Sequence, residues 1–284
     1  MTAKLARDLV MALSLAALIF GWIWLLQRDF FYDARAYWAL DYDHLYANSL
    51  VGRLGTYLYS PAFAQAMWPL TLLPWPVYAA LWSALNLAVL VWMARPFLAA
   101  LLLFIPFSPV TDEITTGNLH LLLAAALVLG FRYPAAYALP LLTKITPGVG
   151  VLWFLGAQKW RAFLVAIGAT AAIGAISMVI GFNQWLDWIG LLRASSSVPV
   201  PSEIGVIPGP LWLRGSAAAA LVVAGGRLGW KWTVPVAATL ALPVTWSSGL
   251  SILVALIPLY RDRLPWLLGG SWRRAPAPSL PAAA

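Results

Sequence analysis

Apolar runs long enough to matter in a bilayer recur along almost the whole chain, separated by single charges, prolines or short polar stretches. A segment buried in lipid has no water to satisfy its backbone N–H and C=O groups, so it must be helical or part of a closed barrel. The runs are rich in Leu and Ala, and an all-α polytopic membrane protein is therefore expected. With 62% hydrophobic and 10% charged residues among 284, an ordinary soluble domain is excluded.

The runs give about ten membrane helices or half-helices. They cover residues 9–26, 77–93, 97–107, 119–131, 135–142, 149–157, 162–182, 216–224, 233–245 and 250–260. Several fall short of the roughly 20 residues that a perpendicular span needs. Such helices are expected to be short, broken, or joined to polar half-turns buried in protein. Residues 62–73, closed by Pro74 and Pro76, read as a helix lying at the interface. The N-terminus has Lys4 and Arg7 ahead of its first run, as a signal peptide would, but Trp22 and Trp24 stand where cleavage needs small residues. An uncleaved anchor is expected. Residues 1–262 then form one transmembrane domain with outer loops at 27–61 and 183–214, and the basic, then Pro/Ala-rich tail at 263–284 is expected to be disordered.

Charge orients this scheme. With the N-terminus in the cytoplasm, twelve of the eighteen basic residues fall inside, while eight of the ten carboxylates fall outside. An integral protein of the cytoplasmic membrane is expected, with both termini cytoplasmic and its site facing outward. The net charge of +8 does not indicate nucleic acid, because the basic residues are scattered singly between apolar runs. The seventeen Trp suit membrane interfaces, and the absence of Cys excludes disulfides and thiol chemistry.

The first outer loop holds Asp29, Asp33, Asp41 and Asp43, His44, and Arg28, Arg35 and Arg53. If 33–45 is helical, Asp33, Tyr37, Asp41 and His44 share a stripe within about 80°. An acidic stripe with aromatic neighbours suits sugar hydroxyls. A solvated loop helix showing its polar face to water fits the same spacing, and charge runs are usually surface. Tyr57, Tyr59, Ser60 and Pro61 read more simply as an interfacial aromatic anchor with proline opening a helix.

Asp112, Glu113, Gly117, Asn118 and His120 lie between two short spans. Gly117 permits a tight turn and Asn118 could cap the following helix. His120, in an apolar run with one other His in the chain, reads as a hydrogen-bonded core residue rather than a metal ligand, and no metal site is expected. Lys144 sits between apolar runs beside a Thr-Pro-Gly break. An ammonium near membrane depth is costly unless paired or hydrated, which makes it a functional candidate suited to a phosphate. A lysine that merely snorkels from a helix end is the other reading. Trp185, Asp187, Trp188, Arg193 and Glu203 lie in the second outer loop, where a lid, a binding loop and disorder remain open.

Taken in order, DARAYWAL at 33–40, YLYSPAFAQ at 57–65, LPWPVYAALWSALNLAVL, SPVTDEITTGNLHLLL, and LLTKITP around Lys144 resemble the GT-C-type membrane glycosyltransferases of family 87. The resemblance spans about residues 20–195, and the region beyond departs from the pattern. The chain is also short for the group, as if late helices and part of the outer loop were missing.

The resemblance implies transfer of a sugar, typically mannose, from a polyprenyl phosphate to a lipid or glycan acceptor outside the membrane. Asp33 matches the family's acidic base, Lys144 the lysine that meets the donor phosphate, and Gly117-Asn118 the family's turn. Tyr37, Arg35, Asp41, His44, Tyr59, Asn118, His120 and Arg193 are the other residues expected to contact substrate, with Arg35 or Arg193 assisting at the phosphate. No cofactor is expected beyond the lipid-linked sugar. The rival reading is a shortened, non-catalytic relative with protein partners, serving as a structural or lipid-binding subunit of a membrane assembly. A transporter is a weaker rival, because no repeated halves are visible.

Overall fold

The computed structural model describes residues 30–47, 49, 53–95, 108–196 and 206–260, together with positions 12, 15, 16 and 19. Those four helical positions aside, the expected span at 9–26 lies outside the described residues. So do the expected span at 97–107, the middle of the 183–214 segment with Glu203, and the tail. Among the described residues the regular structure is entirely helical.

The opening loop supplies α1 (Tyr32–Trp38), a helix of 7 residues. It stops well short of the 33–45 helix that the periodicity suggests. The tyrosine hydroxyls beyond it reach across to the next element: Tyr42 donates to the Ala64 carbonyl at 2.9 Å and Tyr46 to the Tyr59 carbonyl at 2.7 Å. These bonds, with Leu45 buried beneath them, pull the chain into turns. Asp41 and His44 consequently leave the stripe they were expected to share with Asp33. They pair with each other at 3.4 Å, and both are largely exposed.

Pro61 opens α2 (Pro61–Thr71), where its fixed φ suits the first helical position and its missing N–H is not needed. Pro76 does the same at the start of α3 (Trp75–Ala94). Next come α4 (Ser108–Thr116), α5 (His120–Gly130), a 3₁₀ turn at Pro134–Tyr137, α6 (Ala138–Thr143), a 3₁₀ segment at Thr146–Val151 and α7 (Leu152–Gly156). The remainder is α8 (Trp160–Ile180), α9 (Phe182–Ser196), α10 (Leu211–Leu228), α11 (Thr233–Leu240), a 3₁₀ segment at Ser247–Ala255 and α12 (Leu256–Tyr260).

By length and composition, 2 of these helices, α3 and α8, can cross a membrane, or 3 if α4 and α5 count as one bent span. Eight of the ten expected runs fall among the described residues, and outside α3 and α8 they form shorter helices or 3₁₀ segments. Pro134 and Pro147 stand at the starts of 3₁₀ segments, where they cannot continue a preceding helix, so the apolar runs around them form short pieces packed in the protein. α7 and α10 approach closely through Gly156 and Gly226. A Cβ on Gly156 would lie 2.1 Å from the Val223 carbonyl oxygen, and one on Gly226 would lie 2.3 Å from that of Trp153.

The described residues of the segment expected as the second outer loop are largely helical. In α9, Trp185 donates to Ser177 Oγ at 3.0 Å and Trp188 to the Leu58 carbonyl at 3.1 Å. Arg214, at the other end of the segment, lies inside α10 and is mostly buried. Its guanidinium donates to the carbonyls of Gly209, Leu240, Leu242 and Pro243, including one left open by the end of α11. Gln65 fastens α2 to the end of α8 by donating to the Ser177 carbonyl at 3.2 Å.

Candidate active site

The site is built around the break between α4 and α5, which meet at 111°. Gly117 makes that break. Its φ of +68 is the left-handed conformation that side chains resist, and its N–H and that of Asn118 both donate to the Glu113 carbonyl, at 3.0 and 3.2 Å. A bend frees backbone groups that need partners, and three of them are met by side chains. Trp82 Nε1 donates to the Gly117 carbonyl at 2.7 Å, and the Leu119 N–H donates to Asn118 Oδ1 at 2.8 Å. The Leu121 N–H donates to Glu113 Oε1 at 3.2 Å.

The absence of a Cβ also lets α1 approach. A Cβ on Gly117 would lie 2.6 Å from that of Ala34 and 3.2 Å from Phe31 Cδ1. Gly117→Ala is therefore expected to cost about 1–3 kcal/mol through overpacking and left-handed strain. It should also push α1 off the turn, so a drop in Tm should accompany reduced function.

α1 then places Asp33 beside Asn118, whose Nδ2 donates to Asp33 Oδ2 at 2.7 Å. On the other side of the same amide, Lys144 Nζ lies 3.3 Å from Asn118 Oδ1 and 2.6 Å from His120 Nε2. His120 Nδ1 in turn lies 2.8 Å from Glu113 Oε2. An ammonium can only donate, so Nε2 accepts from Lys144 and the ring proton sits on Nδ1, facing the Glu113 carboxylate. The result is a continuous chain, Asp33–Asn118–Lys144–His120–Glu113, with carboxylates at its two ends and one ammonium within it.

The backbone just beyond Lys144 holds it in place. α6 ends at Thr143, and Ile145 takes φ 53 and ψ −64 while the Thr146 N–H donates to the Lys144 carbonyl at 2.6 Å. This is a γ-turn around a β-branched residue, a strained conformation that persists only where the surroundings enforce it. The ammonium also sits 5.7 Å from the Tyr59 ring centroid. Lys144 is thus inward-facing and hydrogen-bonded, and the snorkelling reading is overturned.

Tyr37 and Tyr59 support the site from beneath. Their hydroxyls are 2.8 Å apart, and the Tyr37 ring is enclosed by Tyr59, Phe63 and Trp82 with centroids 5.3, 5.6 and 5.6 Å away. Both are buried, so Tyr59 is a core residue and not the surface anchor its spacing suggests. Asp33 is half-buried. Burial lifts its carboxyl above the ordinary range, opposed by the Lys144 charge and by the Asn118 hydrogen bond, with Glu113 adding a smaller upward push.

Beside α1 opens a concavity of about 730 Å³ whose lining includes Tyr32, Arg35, Asp41, His44, Arg53 and Tyr57. Apart from the core tyrosines Tyr37 and Tyr59 and the outlying Arg193, the expected residues form two groups. Asn118 and His120 join the Asp33–Lys144 chain, while Arg35, Asp41 and His44 line the adjoining concavity. Arg35 lies 5.4 Å from the Trp75 ring centroid. Arg193 is exposed in the last turn of α9, outside the buried chain.

The sequence matches glycosyltransferase family 87 over residues 57–258, more than half of the chain. The chain belongs to glycosyltransferase family 87. No curated protein and no solved structure gives a match. The family 87 match runs well past residue 195, so the later region, expected to depart from the pattern, is part of it. Tyr59, Glu113, Asn118, His120 and Lys144 lie within the match. Asp33 lies before its start, and its place in the site rests on the bond to Asn118. Glu113, noted in the sequence beside Gly117 and His120, is the site residue that sequence reasoning gives no role. The signal available is a carboxylate and a histidine flanking a Gly turn in apolar surroundings, where each charge needs a partner.

Proposed function

We propose that this membrane glycosyltransferase moves a sugar, mannose in the simplest case, from a polyprenyl phosphate to a hydroxyl of a lipid or glycan acceptor on the outer face of the cytoplasmic membrane, with GT-C-type architecture. The observation carrying this reading is the convergence of Asp33 and Lys144 on one amide side chain, at 2.7 and 3.3 Å. A carboxylate and an ammonium so placed can serve the two ends of one displacement at the anomeric carbon.

In the proposed step the acceptor oxygen bonds to C1 as the bond from C1 to the phosphate oxygen breaks. The acceptor proton passes to Asp33, and the phosphate leaves as the polyprenyl monoester against Lys144, inverting the configuration. The transition state is oxocarbenium-like, with negative charge growing on the leaving phosphate, so a fixed ammonium there stabilises it more than it does the ground state. His120 and Glu113 orient Lys144, and Asn118 spaces it from Asp33. The concavity with Arg35, Asp41, His44 and Arg53 offers charged and aromatic contacts for the acceptor. The lipid-linked sugar is the only co-reactant in the scheme.

The test is purified protein incubated with polyprenyl-phosphate sugars and an extract of envelope lipids. Transfer should release polyprenyl phosphate in equal amount to new glycosylated product, read by mass spectrometry. Consumption of nucleotide sugars instead, or turnover of none of the lipid-linked donors, would overturn the assignment.

A further inference from the structure

A second concavity, of about 720 Å³, lies at the other end of the longest helix and takes no part in the chemistry above. α7 stops abruptly where Gln158 takes φ 55, its N–H donating to the Leu155 carbonyl at 3.0 Å and that of Lys159 to the Phe154 carbonyl at 2.8 Å. α8 begins at once, with no side chain capping its first N–H groups. This turn gathers Gln158, Lys159, Trp160 and Arg161 against Arg132 from the end of α5, and Val165 continues the lining one turn into α8. All three cations are exposed, and among the described residues no carboxylate lines the concavity. Lys231 adds positive charge nearby, with Nζ 5.3 Å from the ring of Phe131, the neighbour of Arg132.

Its position follows from the packing of α8. Gly174 faces Leu142, two residues before Lys144, and Trp185. Trp160 to Gly174 covers roughly 21 Å of helix, so the basic concavity and the Asp33–Lys144 chain are separated by much of a bilayer's depth. Along α8 as a whole only 17% of the apolar span is buried, and Leu164, Val165, Ile176 and Val179 are exposed at 65, 44, 63 and 89%. The three cations sit where this apolar face begins, next to the exposed indole of Trp160. A ligand that complements both parts has an anionic head and hydrocarbon tails.

We propose that Arg132, Lys159 and Arg161 bind the phosphate head group of an anionic phospholipid, with its acyl chains lying along the exposed face of α8. Three surface cations favour an anionic over a zwitterionic head group by roughly a hundredfold. The site is independent of which sugar or acceptor the enzyme uses.

The experiment titrates detergent-purified full chain with phosphatidylglycerol, phosphatidylcholine or soluble glycerol phosphate, following bound ligand by native mass spectrometry. Phosphatidylglycerol should bind saturably and far more tightly than the other two. Arg132→Gln with Arg161→Gln should weaken it by roughly thirtyfold. Arg95→Gln with Arg227→Gln, which removes the same charge elsewhere, should leave it unchanged. Equal weakening by both pairs means diffuse attraction and overturns the site. Phosphatidylcholine binding as tightly removes the role of charge and overturns it too, and glycerol phosphate binding as tightly does so by making it a pocket for soluble anions. The substituted arginines are exposed, so an unchanged Tm in phosphatidylcholine verifies that the variants fold.

Discussion

Exchange of Asp33 for asparagine is expected to lower sugar transfer by about 100- to 10,000-fold, the range over which a general base contributes, without loss of fold. The amide is nearly isosteric, and its carbonyl oxygen can still accept the 2.7 Å bond from Asn118. What disappears is the ability to take the acceptor's proton. Purified Asp33→Asn protein with wild-type Tm and wild-type turnover would remove Asp33 from the mechanism.

The same residue sets the expected pH profile. The transferring form is the carboxylate, so kcat/KM should be full above the folded-state pKa of Asp33 and fall as pH drops through it. Burial raises that pKa from its ordinary 3.8, while the Lys144 charge and the Asn118 bond hold it down. The acid limb should therefore lie above the ordinary carboxylate range. Asn118→Ala removes a downward influence and should move the limb further up. A limb that stays put in that variant would mean another group controls it.

How much of this is legible in the residues differs by feature. The helical class follows from the apolar runs, and α2 begins at Pro61 because proline suits that position locally. Gly117-Asn118 reads as a turn, and Lys144 as a charge needing a partner, because both arguments are short-range. The end of α1 does not read so, since it is fixed by tyrosine hydroxyls bonding to α2 and the turn before it rather than by any residue in the helix. The same distant bonds separate Asp41 and His44 from Asp33. Glu113 groups by sequence with Asp112 among outward carboxylates, yet the bend at Gly117 turns it onto His120 seven residues later. Which apolar runs cross alone is less legible: among the described residues only α3 and α8 have the length and composition for it, and the other runs form shorter helices that pack against one another.

Lys144→Met should reduce kcat/KM for the lipid-linked donor by about 10- to 150-fold, the loss of a charge-assisted bond of about 1.5–3 kcal/mol. Methionine keeps an apolar stem of similar length. Stability should change less than function, because two effects oppose. His120 Nε2 loses the donor now 2.6 Å away, while a charge that is expensive to bury is gone. The kinetic pattern is the sharper readout. A polyprenyl-phosphate sugar is a phosphodiester with one negative charge, and its leaving group is a monoester that gains a second. An ammonium at that phosphate therefore binds the transition state more strongly than the ground state, so kcat should fall as well as KM rise. The acid limb should also move up, because the Lys144 charge lowers the pKa of Asp33. A lysine that only anchored a helix end would leave both kcat and the limb in place. A coupled change in donor turnover and in the ionisation of Asp33 is what the shared contact of the two groups with Asn118 demands.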